Sequence, residues 1–316
     1  MALGDAMGMP AELWGRKRVK AFFGRIEGFL DGPAENDVAF NYKKGQFTDD
    51  TGQALVLLDS IESTDYEPDT RDIALRMLAW AEKENAFENN ILGPTSKVAL
   101  ANFRDNIQDS RITDKALSNG SAMRIAPIGC LFRPEQKEDI ARYVYLVSRA
   151  THTSDVTIAG AAMIAEAVSS AIVKDDFEKV MEDVFGIEEI GYGMGCETFS
   201  PRLGERLRIG LDIAGSYKGD DEGFIHKLYD VVGTGVGIIE SVPAALSVAY
   251  YAQDPNLSCL LCANMAGDTD TIGAMATAVC GAFTGMGRIK PEYIRTLRQQ
   301  NDADFDHYIR ILEKGR

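Results

Sequence analysis

Apolar residues recur at helical spacing from one end of this chain to the other, while the alternation that marks half-buried strands is scarce. In "TDDTGQALVLLDSIEST", Ala54, Leu57, Leu58 and Ile61 fall on one side, which predicts an amphipathic helix beginning near Thr51. "TRDIALRMLAWAEKE" repeats the pattern with Ile73, Met77, Leu78 and Ala81. Further helices are predicted over 95–104, 136–149, 155–173, 202–215, 224–232, 240–253, 256–264, 270–284 and 291–299. A last one, in "ADFDHYIRILEKG", places Phe305, Tyr308, Ile309 and Leu312 on one buried stripe. Helices without strands must bury their apolar faces on one another, so the predicted class is an all-α bundle. A chain of 316 residues with 45% hydrophobic content can enclose one large core, and residues 1–316 are read as a single domain.

Two stretches interrupt the regularity. Residues 24–50 hold several glycines, Pro33 and many polar residues, which predicts a long irregular excursion that is costly unless function structures it. "FGIEEIGYGMGCETFSP" spaces Gly186, Gly191, Gly193 and Gly195 around Tyr192 and reads as a flexible rim segment. No internal repeat or low-complexity tract is visible.

Charge narrows the partners. Thirty-three Lys plus Arg against 48 Asp plus Glu give a formal charge of −15, which repels nucleic acid and anionic membranes over most of the surface. The longest uncharged run, Thr271 to Gly287, is too short for a membrane span and is rich in Gly, Ala and Thr, as a tightly packed core helix is. Gly4, Asp5 and Gly8 interrupt any secretory leader, and five cysteines are an odd, sparse set, so free thiols in the reducing cytoplasm are expected. Cys259 and Cys262 form a CxxC flanked by leucines, where buried packing is favoured over a redox pair.

The strongest chemical signal is Thr48-Asp49-Asp50-Thr51, just before an apolar helical run. A single carboxylate there would be an ordinary helix cap. Two adjacent ones flanked by threonines repel each other, and a divalent cation relieves that repulsion by drawing on carboxylate and hydroxyl oxygens together. The same pattern returns in Gly267-Asp268-Thr269-Asp270-Thr271, ahead of a helix of small residues. Asp268 and Asp270 would diverge on a regular helix, so sharing an ion needs a turn wound tightly about Gly267. The donor set, all oxygen, suits Mg²⁺ or Mn²⁺. Solvated helix caps are the plainer reading of either segment alone.

At this point the chain resembles the ADP-ribosylglycohydrolase family, the all-helical group that includes dinitrogenase reductase-activating glycohydrolase and the ADP-ribosyl-acceptor hydrolases. The matches are "GDAMGMPAE" (4–12), "TDDT" (48–51), "SNGSAMRIAPIG" (118–129), "TH" (151–152) and "GDTDTIGAMATAVCGA" (267–282), in the family's order. The resemblance implies a compact multi-helix orthogonal bundle with two Mg²⁺ or Mn²⁺ ions at the base of a cleft. Thr48, Asp49, Asp50, Asp268, Asp270 and Thr271 would ligate them, with Asp270 bridging, and Glu12 would control substrate or water. Asn119, Gly120, Ser121 and Met123 would line the pyrophosphate and ribose region, and His152 the ribose. Gly93-Pro94-Thr95-Ser96 is read as a helix start capped by Thr95 or Ser96, whose free N–H groups can face a pyrophosphate. Arg124 can contact phosphate or tie the loop to a buried carboxylate. The chain opens only a few residues before Gly4, where relatives have more of the first helix, Ala266 stands where glycine is commoner, and Tyr192 is the candidate adenine-stacking aromatic.

The implied reaction is metal-dependent hydrolysis of an N- or O-glycosidic bond at the terminal ribose of an ADP-ribosylated small molecule or protein, with Glu12, Asp49 and Asp270 at its centre. A hydrolase of a smaller nucleoside or ribosyl glycoside, a catalytically silent ADP-ribose-binding module and a metal-stabilised structural protein stand as alternatives. The last would leave the Asn119-Gly120-Ser121 loop unused.

Overall fold

The computed structural model describes residues 1–89 and 91–316. Helix α1 (Ala2–Gly8) and a 3₁₀ turn (Met9–Ala11) lead to α2 (Arg16–Phe23). After a non-helical excursion come α3 (Asp49–Ser63), α4 (Thr70–Lys83), α5 (Pro94–Arg104) and the short α6 (Arg111–Asp114) and α7 (Ala126–Gly129). The middle of the chain forms α8 (Lys137–Ser148), α9 (Asp155–Val173), α10 (Phe177–Tyr192), α11 (Leu203–Ser216) and α12 (Asp221–Val231). Helices α13 (Ile238–Ala252), α14 (Pro255–Met265), α15 (Thr269–Thr284), α16 (Pro291–Gln300) and α17 (Phe305–Gly315) complete the all-α bundle. Strand-type pairing among the described residues is confined to three isolated bridges.

Helix α9 is the rod about which α7, α8, α10, α13 and α15 pack. It is long and apolar enough to cross a membrane by length and composition, yet 89% of that window is buried inside the fold. Its small residues permit close approach: a Cβ added at Gly191 of α10 would lie 2.7 Å from the Ala159 Cα. This contact corrects the expected flexible rim. Phe177, Val180, Met181, Val184 and Ile187 recur at helical spacing on the buried side of α10, and Gly186 and Gly191 lie within that helix rather than ending it. Only Gly193 and Gly195 fall beyond it.

The stripe expected on α17 also shifts. Ile311 is its buried residue and Ile309 is 40% exposed, because α17 meets the body along one narrow edge against α3. Phe305, Tyr308, Ile309 and Leu312 instead border a shallow cleft of about 280 Å³ beside α3 and α16. All five cysteines are free, with Cys259, Cys262 and Cys280 buried.

Helix α1 escapes sequence periodicity because it is buried nearly all round, and glycines decide how it packs. A Cβ at Gly4 would lie 1.9 Å from the Gly273 carbonyl oxygen, and one at Gly8 2.2 Å from that of Thr269. The Thr269 hydroxyl donates to the Gly8 carbonyl at 2.7 Å. Helices α1 and α15 therefore touch backbone to backbone, which fixes the start of α15 against the beginning of the chain. Gly4→Ala forces these helices apart and is expected to cost about 2 to 3 kcal/mol, read as a lowered urea midpoint. An unchanged midpoint would show that the contact is not close packed.

Candidate functional site

The first acidic segment is shaped by the start of α3. Thr48 is the N-cap, its hydroxyl accepting from the Asp50 N–H at 3.4 Å, and Asp49 and Asp50 occupy the first turn, where the helix dipole favours negative charge. The buried carboxylate of Asp5, on α1, accepts from the Thr48 N–H at 2.8 Å, the Thr51 N–H at 3.0 Å and the Thr51 hydroxyl at 2.5 Å. It thus takes up amides that the first turn leaves unpaired.

The second segment is wound as its spacing requires. Ala266 and Gly267 both have positive φ, at 73° and 85°, and a Cβ on Gly267 would lie 2.2 Å from the Thr234 carbonyl oxygen. The Gly267 N–H donates to the Trp14 carbonyl at 3.0 Å, and its own carbonyl accepts from the Leu13 N–H at 2.7 Å, which draws Glu12 to the start of α15. Asp268 is the N-cap of that helix and Asp270 lies in its first turn.

The two segments meet. The Thr48 hydroxyl donates to Asp270 at 3.3 Å and the Thr271 hydroxyl to Asp50 at 3.3 Å. Carboxylate oxygens of Asp5, Asp50 and Asp270 lie within 4.8 Å of one another, and so do those of Glu12, Asp268 and Asp270. Asp270 belongs to both groups. Asp50 Oδ2 and Asp270 Oδ1 are buried with no hydrogen-bond partner among the described residues. Buried orphan oxygens are costly unless something electropositive sits beside them. The cluster is all oxygen, and its orphan atoms fit hard divalent cations.

Electrostatics agree. Burial, then repulsion from Asp5 and Asp268, pushes the Asp49 carboxyl up to about 7. Burial pushes Asp268 up to about 6, and raises Asp5, Glu12, Asp50 and Asp270 as well. Without a cation these groups keep their protons to higher pH than free carboxyls do.

The other residues singled out in the sequence separate in space. Asn119 Nδ2 donates to Asp268 at 2.5 Å, so the 118–121 loop touches the cluster directly. A Cβ on Gly120 would sit 2.8 Å from His152 Cε1. His152 is fully buried and bonded to Thr151 and Ser118, so it supports the loop from beneath. The Ser121 hydroxyl donates to the Thr157 carbonyl at 3.0 Å, and Met123 packs in the interior. Helix α5 takes Gly93 as N-cap with no side-chain cap and Pro94 at its first position, which corrects the capping expected of Thr95 or Ser96. Thr95 instead accepts from the Ser118 hydroxyl at 3.3 Å. Tyr192 ends α10, with the Arg202 guanidinium 4.0 Å from its ring centroid and its hydroxyl accepting from the Leu203 N–H at 3.3 Å.

Some neighbours of the cluster carry no motif. Asp5 carried no site role in the sequence, only a place in a matched stretch and among the residues that interrupt a leader. Gln53 donates to Asp49 at 2.8 Å from one turn along α3, and that i,i+4 spacing is its only sequence signal. An open cavity of about 390 Å³ adjoins Asp49, with Tyr42, Thr48, Gly52, Trp80 and Glu84 among its walls. Tyr42 comes from the 24–47 excursion, which is pinned over the site. Asn36 donates to the Pro10 and Glu12 carbonyls at 3.3 and 3.0 Å, and Arg18 donates to the Glu35 carbonyl at 2.6 Å.

The sequence pattern of one family, described as ADP-ribosylglycohydrolase, matches residues 1–315. The chain belongs to that family. A relative over its whole length is the Escherichia coli (strain K12) protein YegU, described as uncharacterised, 44% identical over 316 residues and matched across 94% of its own length. Human ADP-ribosylhydrolase ARH3 is 24% identical over 82% of this chain and 76% of its own. Pseudomonas putida (strain GB-1) ADP-ribosylarginine hydrolase Tri1 is 26% identical over 93% of this chain and 71% of its own. A solved structure titled ADP-ribosylglycohydrolase-related protein complex shares the fold, with a TM-score of 0.69 and 21% identity over 98% of this chain and 92% of that one.

For this member of the family the raised carboxyls fix a sign. The folded state binds protons more tightly than the unfolded one, so metal-free stability falls as pH rises from about 4, the unfolded value, to about 7, where Asp49 titrates. The melting temperature of chelated protein is expected to drop between about pH 5 and about pH 7. Mn²⁺ should restore it at neutral pH and do little at the acid end. Asp270→Asn is expected to abolish the Mn²⁺-induced rise while far-UV circular dichroism stays helical, and a retained rise would contradict the shared position of Asp270.

Proposed function

We propose that this protein is a divalent-metal-dependent hydrolase of the glycosidic bond at the terminal ribose of an ADP-ribosylated substrate, with residues 1–316 acting as one domain. The observation that carries the reading is the double membership of Asp270. One carboxylate is common to two oxygen groups, each within ligating reach, as a site for a cation pair requires. Thr48, Asp49, Asp50, Asp268, Asp270 and Thr271 would hold two Mg²⁺ or Mn²⁺ ions. When bound, such ions supply Lewis-acid polarisation of ribose hydroxyls and water.

The chain's own residues do the rest. Glu12, the residue that ends the 3₁₀ turn, stands beside Asp268 and Asp270, and it serves as the acid–base group that takes a proton from the attacking water. Asp5 holds the first turn of α3 rigid, so the ligands on that turn stay in place. Asn119 orients Asp268, and the backbone of the 118–121 loop with the start of α5 lies where ribose and pyrophosphate would run. The cavity beside Asp49 gives the leaving group room. The activities named for ARH3 and Tri1 support ADP-ribose as the group recognised.

The test is release of ADP-ribose from ADP-ribosyl-arginine, ADP-ribosyl-serine and O-acetyl-ADP-ribose, with simple nucleosides beside them. At least one ADP-ribosyl substrate should be cleaved with Mg²⁺ or Mn²⁺ and none after chelation. Turnover in demonstrably metal-free protein would refute the mechanism, and release from nucleosides alone would replace the substrate class. Glu12→Gln is expected to lower kcat by about 100-fold with KM changed by less than about 3-fold. Normal turnover in that variant would remove its assigned role.

A further inference from the structure

The hydrogen bonds around Arg124 run in one direction. Arg124 is 1% exposed, and its guanidinium can only donate. One arm leads toward the acidic cluster. Nη1 donates to Gln53 Oε1 at 2.8 Å, which turns the amide of Gln53 so that Nε2 donates to Asp49 Oδ2 at 2.8 Å. The opposite orientation of that amide would set two donors face to face and leave the carboxylate against an acceptor.

The other arm leads toward the substrate loops. Nη2 donates to Thr151 Oγ1 at 2.6 Å, so the threonine proton must go elsewhere. Two acceptors are within reach: the Ser148 carbonyl at 3.5 Å and His152 Nδ1 at 2.9 Å. The shorter contact wins. Burial, then the positive charge of Arg124, holds His152 neutral, down to about 3. A neutral imidazole that accepts at Nδ1 carries its proton on Nε2, and Nε2 faces Ser118 Oγ at 3.0 Å. Ser118 in turn donates to Thr95 Oγ1 at 3.3 Å, which leaves the Thr95 hydroxyl at the start of α5 with its own proton to give.

We propose that Arg124 is a positioning residue that sets the polarity of both arms, fixing Asp49 through Gln53 and locking His152 in the Nε2–H tautomer through Thr151. The role of the Thr95 hydroxyl toward a ligand rests on the function proposed above; the tautomer does not. Arg124 touches neither the acidic cluster directly nor the cavity beside Asp49, yet both ends of the site take their orientation from it.

The chain has three histidines, so His226→Gln with His307→Gln leaves His152 as the sole imidazole. Long-range ¹H–¹⁵N correlation spectra of the ¹⁵N-labelled protein are expected to show one neutral Nε2–H form from about pH 5 to about pH 8. An Nδ1–H form or an imidazolium would overturn the proposal. Arg124→Gln replaces an obligate donor with a group that can accept, and Thr151→Val removes the intervening hydroxyl while keeping the shape. Each is expected to give mixed or inverted tautomers, and a single Nε2–H form retained in both would overturn the role of Arg124. If neither variant folds, the wild-type spectrum decides. On an ADP-ribosyl substrate that the wild type cleaves, Thr151→Val should raise KM by about 5-fold or more and Thr151→Ser should restore it. Absence of turnover in every variant and in the wild type would sink the proposed function and leave the spectroscopic result standing.

Discussion

Carboxylates buried side by side repel one another, and this fold concentrates them where two helix N-termini converge. Asp49 and Asp50 open α3, and Asp268 and Asp270 open α15, so the partial positive ends of both helices point at the same small volume. Threonine hydroxyls and the Asn119 amide take up part of the remaining negative character. Two oxygens, Asp50 Oδ2 and Asp270 Oδ1, stay without partners among the described residues, and a cation would offset their desolvation. The site is thus electrostatically incomplete on its own terms, and the packing around it holds that incompleteness in place.

Holding it depends on α1 more than on the larger helices. Its glycine face lies against the backbone of α15, while its carboxylate Asp5 gathers the amides at the start of α3. One short helix therefore sets the distance between the two acidic turns. The excursion before α3 does a different job, being tied down by Asn36 and Arg18 and placing Tyr42 beside Asp49. A long non-helical stretch is tolerated here because its backbone polar groups pair within it and with the side chains of Asn264 and Asn301.

Helical periodicity made α3 to α5, α8, α9 and α11 to α17 legible, with boundaries displaced by only a few residues, and it missed α2, α6 and α7. It failed on α10 because glycines that serve close packing look, in one dimension, like turn residues. It failed on α1 because a helix buried all round has no polar face to set the period. Each acidic pair could be read from its spacing, whereas their convergence is a property of the tertiary fold that only family resemblance anticipated. Gln53 was illegible for another reason, and Thr151 showed only as part of the matched "TH" pair. Their importance comes from the donor-only guanidinium between them, and nothing in the local sequence marks Gln53 as different from an ordinary residue on α3.

The contacts that join the two acidic turns span 222 and 221 positions along the chain. Closing so long a loop costs entropy that no nearby contact repays in advance, which places these contacts late in assembly. During synthesis the first acidic turn emerges long before its counterpart, so α3 must begin its life with its carboxylates in water. A divalent ion captured by the cluster would then report that the polypeptide has been made through its fifteenth helix and closed upon itself.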